Sequence, residues 1–276
     1  MNVKIVADSS ANLPSMEGFP YASVPLKLVT DQKEFVDDEN LDCRAMMEYL
    51  GSYKGRSGSS CPNVGEWIEA FGDAENVFTL AISRSMSGSH NSALQAKEVY
   101  EEEHPDRKVC CLDTLTTGPE LILAAEKIRD LAEEGLGFQD IKARIKAYLE
   151  KTHMLFMLSS VDNLAKNGRV NPLIAKAVGI LNIRIVGQAS DSGTFQQEHK
   201  CRGEKKGVLC LYDLMKERGF AGKKVRINHV FNETCAEELK QLILSDYPNT
   251  DISVTPTTGL CSFYAEKGGI MVGFEE

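Results

Sequence analysis

Short apolar runs alternate with longer amphipathic stretches along the first half of this chain. Residues 3–7, 77–81 and 108–112 are largely apolar and have the length of a buried strand. Residues 117–134 and 138–151 instead place apolar side chains every three or four positions, which is typical of helices that bury one face. Because strands and helices alternate, this half of the chain predicts a mostly parallel sheet.

The pattern changes near residue 153. An apolar run at 154–158 predicts a strand, and two strands that flank the turn D-S-G at 191–193 predict a hairpin. Helices and strands are mixed thereafter, with helices predicted at 204–218 and 234–245 and strands at 224–230, 251–255 and 269–274. We therefore predict an α/β fold class with two domains. A mostly parallel α/β domain at residues 1–155 is followed by a mixed α+β domain at residues 156–276.

Composition and charge exclude several classes of partner. The chain has 276 residues, of which 42% are hydrophobic, and a net charge of −9. This acidic balance argues against nucleic acid and anionic membrane surfaces, because both would repel the protein. No run approaches the roughly 18 apolar residues of a membrane span, and the N-terminal residues lack the apolar core of a signal peptide. We therefore expect a cytoplasmic protein with no stable membrane insertion.

The cysteines indicate no metal site. The sequence has eight of them, and none forms a C-x-x-C pair or a Cys/His cluster with zinc spacing. Their even number is compatible with disulfides. Because no secretion signal is present, buried reduced thiols are favoured.

Hydroxyl-rich turns precede two predicted helices. Ser87 occupies the N-cap position of one helix, and Gly88 beside it allows close approach of the backbone. Ser59 and Ser60 precede the other helix. Since the first N–H groups of a helix are unpaired and its dipole is positive there, the two turns can converge on a carboxylate or phosphate. The alternative for Ser87 is a simple helix cap.

Two further features have two interpretations each. Asp8 ends the first predicted strand, where it can orient a binding or catalytic hydroxyl or simply hold the turn. The second feature is an apolar set that can line a tunnel or belong to an ordinary core. Its members are Leu173, Ile174, Ala177, Val178, Ile180, Leu181, Ile183 and Ile185.

Six short motifs follow one another in an order that resembles the DegV family of bacterial fatty-acid-binding proteins. They are D-S-S-A-N-L at 8–13, S-S-C-P-N at 59–63, I-S-R-S-M-S-G-S at 82–89, L-D-T at 112–114, V-D-N-L-A-K-N-G-R-V at 161–170, and D-S-G at 191–193 followed by R-G-E-K-K-G at 202–207. The third resembles the family's I-S-S-x-L-S-G-T and is the most specific. Each motif alone is weak, but together they extend the resemblance over nearly the whole chain.

The resemblance implies a lipid carrier built from two α/β domains. An acyl chain would be buried mainly in the second domain, with the carboxylate of a palmitate-like fatty acid at the domain junction. The hydroxyls of Ser59 and Ser87 and the N–H of Gly88 would bind that carboxylate. Family members of this kind present the carboxylate to a separate fatty acid kinase and carry the acyl phosphate. A fatty acid kinase is thus an expected partner, and no cofactor is expected.

Other positions match the family around the head group. Arg169 and Arg202 match family arginines and suit the acyl phosphate or docking of the kinase, since arginine offers a planar fork of donors. Asp8 and Ser83 fall within two of the motifs and are expected to contact the head group or support the residues that do. His90 replaces an aromatic residue of the family, and we expect it to be a solvated helix residue.

The sequence departs from the family near its C-terminus. The family signature T-H-T-G-P-G-A has a histidine at the carboxylate site, whereas T-P-T-T-G-L-C-S at 255–262 places Thr257 there. Thr257 is therefore a further head-group candidate. Cys61 replaces a glutamine, and Arg184 and Ile185 replace a Lys-Pro pair. These departures leave open a different acyl chain, a different anionic small molecule, or no coupling to a kinase.

Two other classes of function compete with a carrier. A serine-dependent esterase or acyl hydrolase would use Ser59 or Ser87 as its nucleophile. The chain has no G-x-S-x-G motif, however, and its five histidines have no evident partner in the sequence. Phosphoryl transfer by this chain alone would need a nucleotide site, and neither G-x-x-x-x-G-K-[ST] nor G-x-G-x-x-G occurs.

Overall fold

The computed structural model describes residues 2–178 and 182–276, which form three sheets. The strands of the first sheet are β1 (Val3–Asp8), β2 (Tyr21–Val24), β6 (Asn76–Ala81) and β7 (Lys108–Asp113). Their order is β2-β1-β6-β7, and every neighbouring pair is parallel, which confirms the predicted sheet. The covering helices are α2 (Val64–Phe71) and α3 (Ser89–Glu103) on one face, and α4 (Pro119–Glu133) and α5 (Phe138–Leu149) on the other.

The second sheet is mixed. Its strands are β8 (Thr152–Leu158), β9 (Ile183–Ala189), β10 (Phe195–Arg202), β11 (Val225–His229), β12 (Ile252–Pro256) and β13 (Ile270–Glu275). Their order is β10-β9-β8-β13-β11-β12, with β11 and β12 parallel and the other pairs antiparallel. Helices α8 (Glu204–Glu217) and α9 (Glu233–Asp246) pack on one face. The predicted hairpin is therefore confirmed, as is the two-domain α/β fold class.

A third, small antiparallel sheet was not predicted. It consists of β3 (Lys27–Thr30), β4 (Glu34–Val36) and β5 (Ser57–Ser60), with β3 in the centre. The neighbouring strands β2 and β3 belong to different sheets, and Pro25, which has no N–H to donate, lies between them. Helix α1 (Cys43–Ser52) lies between β4 and β5 along the chain.

The remaining helices are short, and α4 connects the two larger sheets. The short helices are α6 (Asp162–Lys166), α7 (Pro172–Val178) and α10 (Gly259–Ala265). One face of α4 packs on the first sheet, while Glu126 of α4 accepts hydrogen bonds from Arg226 of β11 at 2.8 and 2.9 Å. A boundary at residue 155 stays a prediction. Ile180 and Leu181 of the predicted apolar set lie outside the described residues.

Ser59 and Ser60 precede α2, as predicted, whereas the prediction of Ser87 as the N-cap of α3 is wrong by one residue. Ser59 lies in β5 opposite Leu28. Helix α2 begins after Asn63, which exchanges hydrogen bonds with Glu66 in a capping box. Gly88, not Ser87, is the N-cap of α3. The Ser87 hydroxyl still lies at the helix start, where it accepts the N–H of Ser89 at 3.3 Å.

His90 is buried, with 6% of its surface exposed, so the prediction of a solvated residue is wrong. It lies in the first turn of α3, where burial lowers the pKa of its imidazole. Among the described residues, no helix has the length and apolar character to cross a membrane. Within 2–178 and 182–276, no cluster of three or more His, Cys, Asp or Glu side chains is arranged to hold a metal ion.

Candidate functional site

An apolar cavity lies between the loops that follow β6 and β7, the face of the second sheet, and α10. The space between its lining atoms is about 740 Å³, which includes a part open to solvent. The lining side chains are mostly apolar and include Met86, Met154, Phe156, Leu164, Phe195 and Met271. Such a wall suits an aliphatic ligand, because it offers few hydrogen-bond partners.

The tip of the β9–β10 hairpin forms one wall of this cavity. Gly193 and Thr194 at the tip line it, together with Phe195, whose ring stacks on Phe156 with centroids 4.7 Å apart. The Ser85 hydroxyl donates to the carbonyl oxygen of Ser192 at 2.7 Å. The hairpin is thereby attached to the loop that carries the I-S-R-S-M-S-G-S motif.

Tyr264 and Arg169, which have polar side chains, are also among the residues that line the cavity. The hydroxyl oxygens of Tyr264 and Ser59 are 2.8 Å apart and form a hydrogen bond. The Arg169 guanidinium lies 5.9 Å from the centre of the Tyr264 ring, and its Nε donates to the carbonyl oxygen of Met86 at 3.3 Å. Ser59 is thus connected through Tyr264 and Arg169 to Met86, the residue that precedes Ser87.

Ser87 and Gly88 lie beside the loop that follows Ser59 and the end of β5. A Cβ at Gly88 would be 3.2 Å from the sulfur of Cys61, so the two predicted anion-binding turns are in contact. The structure therefore brings together Ser59, Ser87, Gly88, Arg169 and Tyr264, which we call the polar cluster. Sequence reasoning missed Tyr264, because its contact with Ser59 joins positions 205 residues apart.

Asp8 and Ser83 support this region from behind. Asp8 is fully buried at the end of β1, and its carboxylate accepts the N–H of Ser10 at 3.2 Å and that of Ile82 at 3.0 Å. Burial raises the pKa of Asp8, and the hydrogen bond from the Ser10 side chain opposes that rise. Ser83 lines the cavity, and its N–H donates to the carbonyl oxygen of Thr116 at 2.8 Å. Both residues fix the start of the serine-rich loop.

Thr257 and Arg202 lie elsewhere. The Thr257 hydroxyl is 2.6 Å from that of Ser262 and 3.3 Å from the carbonyl oxygen of His229. Thr257 lines a separate groove that also contains Asp37. Arg202 is exposed at the end of β10, opposite Ile183. It is not among the described residues that line the apolar cavity.

Asp37 occupies the N-terminus of α10. It is 2% exposed, and its two carboxylate oxygens accept the N–H groups of Gly259 at 2.6 Å and Leu260 at 2.9 Å. Burial raises the pKa of Asp37, while the N–H of Leu260 opposes the rise. This helix start is therefore filled by a carboxylate of the chain itself.

Comparison with known proteins identifies the family. A model of the DegV family, described as a family of uncharacterised proteins, matches residues 2–276. The chain belongs to the DegV family. A DegV domain-containing protein of Streptococcus pneumoniae R6 is 44% identical over 279 residues, and the match covers 100% of this chain and 99% of the relative. The resemblance inferred from the six motifs is confirmed.

Two solved structures share this DegV fold from end to end. The Streptococcus pneumoniae Fatty Acid Kinase (Fak) B3 protein, loaded with linoleic acid, is 43% identical with a TM-score of 0.98, and the match covers 100% of this chain and 99% of that one. A DegV family protein from Eubacterium eligens, loaded with heptadecanoic acid, is 42% identical with a TM-score of 0.97, and the match covers 99% of both chains.

Proposed function

We propose that this DegV-family chain binds one long-chain fatty acid and carries it without turning it over. The observation that carries the proposal is an apolar cavity whose wall includes Arg169 and Tyr264 of the polar cluster. The two similar structures, which are loaded with linoleic and heptadecanoic acids, support the same ligand class.

The acyl chain would occupy the apolar cavity. Burial of each CH₂ group contributes roughly 0.8 kcal/mol, so a 16-carbon tail would contribute about 11 kcal/mol before the costs of ordering the ligand. That gain suffices for stable binding without any covalent bond.

The carboxylate would bind at the polar cluster, with Ser59, Ser87 and the Gly88 N–H as its donors. A carboxylate removed from water is unfavourable unless charged or hydrogen-bonding groups replace the solvent. Hydroxyl donors and the Arg169 guanidinium supply such charge-assisted bonds. Since Ser59 belongs to the proposed domain 1–155 and Arg169 to the proposed domain 156–276, the carboxylate would lie between the two domains.

A fatty acid kinase is the partner that we infer for this carrier, acting in the cytoplasm. The Fatty Acid Kinase (Fak) B3 protein is 43% identical to this chain, which supports the inference. In this arrangement Arg169 would contact the carboxylate or the acyl phosphate. The exposed Arg202 would contact the phosphate or the kinase.

The contacts of the two serines favour a carrier over an esterase. Ser59 bonds to Tyr264, and Ser87 accepts a backbone N–H. Within the described ranges, no histidine hydrogen-bonds to either serine, whereas a hydrolytic serine needs a nearby base.

Native mass spectrometry of the freshly purified protein, followed by extraction of the lipid, tests the proposal. We expect one fatty acid per chain. A protein that is empty, and stays empty after incubation with palmitate, oleate and linoleate, would contradict it. Steady release of fatty acid from an acyl ester, lost in Ser59→Ala or Ser87→Ala, would instead indicate a hydrolase.

A further inference from the structure

Helix α10 makes one contact near each of its two ends with the small antiparallel sheet or the residue that follows β4. At its start, the carboxylate of Asp37, which follows β4, accepts the N–H groups of Gly259 and Leu260. Near its end, Tyr264 bonds to Ser59 of β5. The position of Tyr264 relative to Ser59 is therefore fixed by two separate contacts of one helix.

The start of α10 is not available to a ligand carboxylate. Asp37 already occupies its first N–H groups, and the Thr257 hydroxyl just before the helix is engaged by Ser262 and the His229 carbonyl. Tyr264 differs from Thr257 in lining the apolar cavity. Of these two residues, Tyr264 is thus the one that reaches the polar cluster.

We propose that Tyr264 is a carboxylate ligand in this chain and donates its phenolic O–H beside the hydroxyl of Ser59. This inference rests on the proposed fatty-acid function. A carboxylate has two oxygens with about four acceptor sites, so it can accept from two hydroxyls that are 2.8 Å apart. Each hydroxyl then exchanges a bond to its neutral partner for a stronger bond to a charged one.

Titration of delipidated full-length protein with oleate and with methyl oleate tests this role. Tyr264→Phe removes only the hydroxyl, and we expect it to weaken oleate binding by about tenfold while methyl oleate loses much less. Tyr49→Phe is the matched control, because it removes a phenol from α1 outside the cavity. It should bind both ligands like the wild type.

The outcomes separate the two proposals. A wild type that binds no oleate contradicts the fatty-acid function itself. A wild type that binds oleate, together with a Tyr264→Phe protein that binds it equally well or loses acid and ester to the same extent, overturns the role of Tyr264. Tyr264→His keeps a ring and a donor N–H and provides a second test. If it retains no more oleate affinity than Tyr264→Phe, the hydrogen bond is not what binds the carboxylate.

Discussion

Gly193 lies so close to Ser83 that a Cβ at this glycine would overlap the Ser83 hydroxyl and lie 2.9 Å from the Cα of Leu115. The φ of Gly193 is +71°, a conformation that side chains other than glycine rarely adopt. The hairpin tip can therefore rest directly on the two loops that border the cavity.

Gly193→Ala should separate the hairpin tip from the Ser83 loop. We expect a loss of about 1–3 kcal/mol in the free energy of unfolding, since the methyl group overpacks the contact and strains the backbone. Urea denaturation measures that loss, and the off-rate of bound fatty acid should rise. Gly135→Ala is the control, because Gly135 has a φ of +81° and nothing within 4 Å. Equal losses in both variants would show that the Ser83 contact contributes nothing.

Ser87→Ala should weaken fatty-acid binding by about 1–3 kcal/mol, because a carboxylate in the polar cluster would lose a donor. Isothermal titration with oleate measures the change. Ser92→Ala, one turn further along α3, is the control and should leave the affinity unchanged. Unaltered affinity in Ser87→Ala would remove this serine from the ligand set.

Asp37→Asn should destabilise the protein by about 1–3 kcal/mol. An amide has one acceptor oxygen, so it would leave one of the two N–H groups of Gly259 and Leu260 facing an NH₂ group. Chemical denaturation measures the loss. Asp38→Asn is the matched control, because Asp38 is exposed and its carboxylate accepts the N–H of Asn40 at 2.9 Å. Similar stabilities of the two variants would mean that α10 does not depend on Asp37.

Glu120 should make stability fall as the pH rises from about 4.5 to 6. Burial raises the pKa of this carboxyl from 4.5 to about 6, and the hydrogen bond that the Thr152 hydroxyl donates at 2.6 Å opposes the rise. In that window the folded state binds more protons than the unfolded state, and over the whole transition the free energy of unfolding decreases by about 2 kcal/mol. Glu120→Gln stays neutral and should lack this decrease. Urea titrations between pH 4 and 7.5 compare the two, and parallel profiles would contradict the assignment.

The elements that sequence reasoning predicted correctly can be recognised from the hydrophobic pattern of their own residues. β1, β6 and β7 are short apolar runs, and α4 and α5 have one apolar face, so local pattern alone identifies them. Their alternation then implies the parallel sheet. The two strands on either side of the D-S-G turn are likewise defined within a short stretch of chain.

The parts that were missed depend on partners far away in the chain. β5 has the sequence S-G-S-S, which has no hydrophobic pattern, and it is a strand because β3 pairs with it. α10 has seven residues, too few for a clear periodicity, and Asp37 fixes its start from 222 residues away. The contact of Tyr264 with Ser59 could have been predicted only if the positions of both β5 and α10 were known. No pattern around Thr257 indicates that its hydroxyl is engaged by Ser262.

Helix α4 belongs by sequence to the first half of the chain, yet its Glu126 accepts hydrogen bonds from Arg226 in the second half. The backbone of β13 also approaches it closely, since a Cβ at Gly273 would be 2.6 Å from the amide nitrogen of Glu120. A chimera that joins residues 1–155 of this chain to the second half of a distant relative would therefore need an arginine at position 226 to pair with Glu126 and a glycine at position 273. In evolution these positions are expected to change together or not at all.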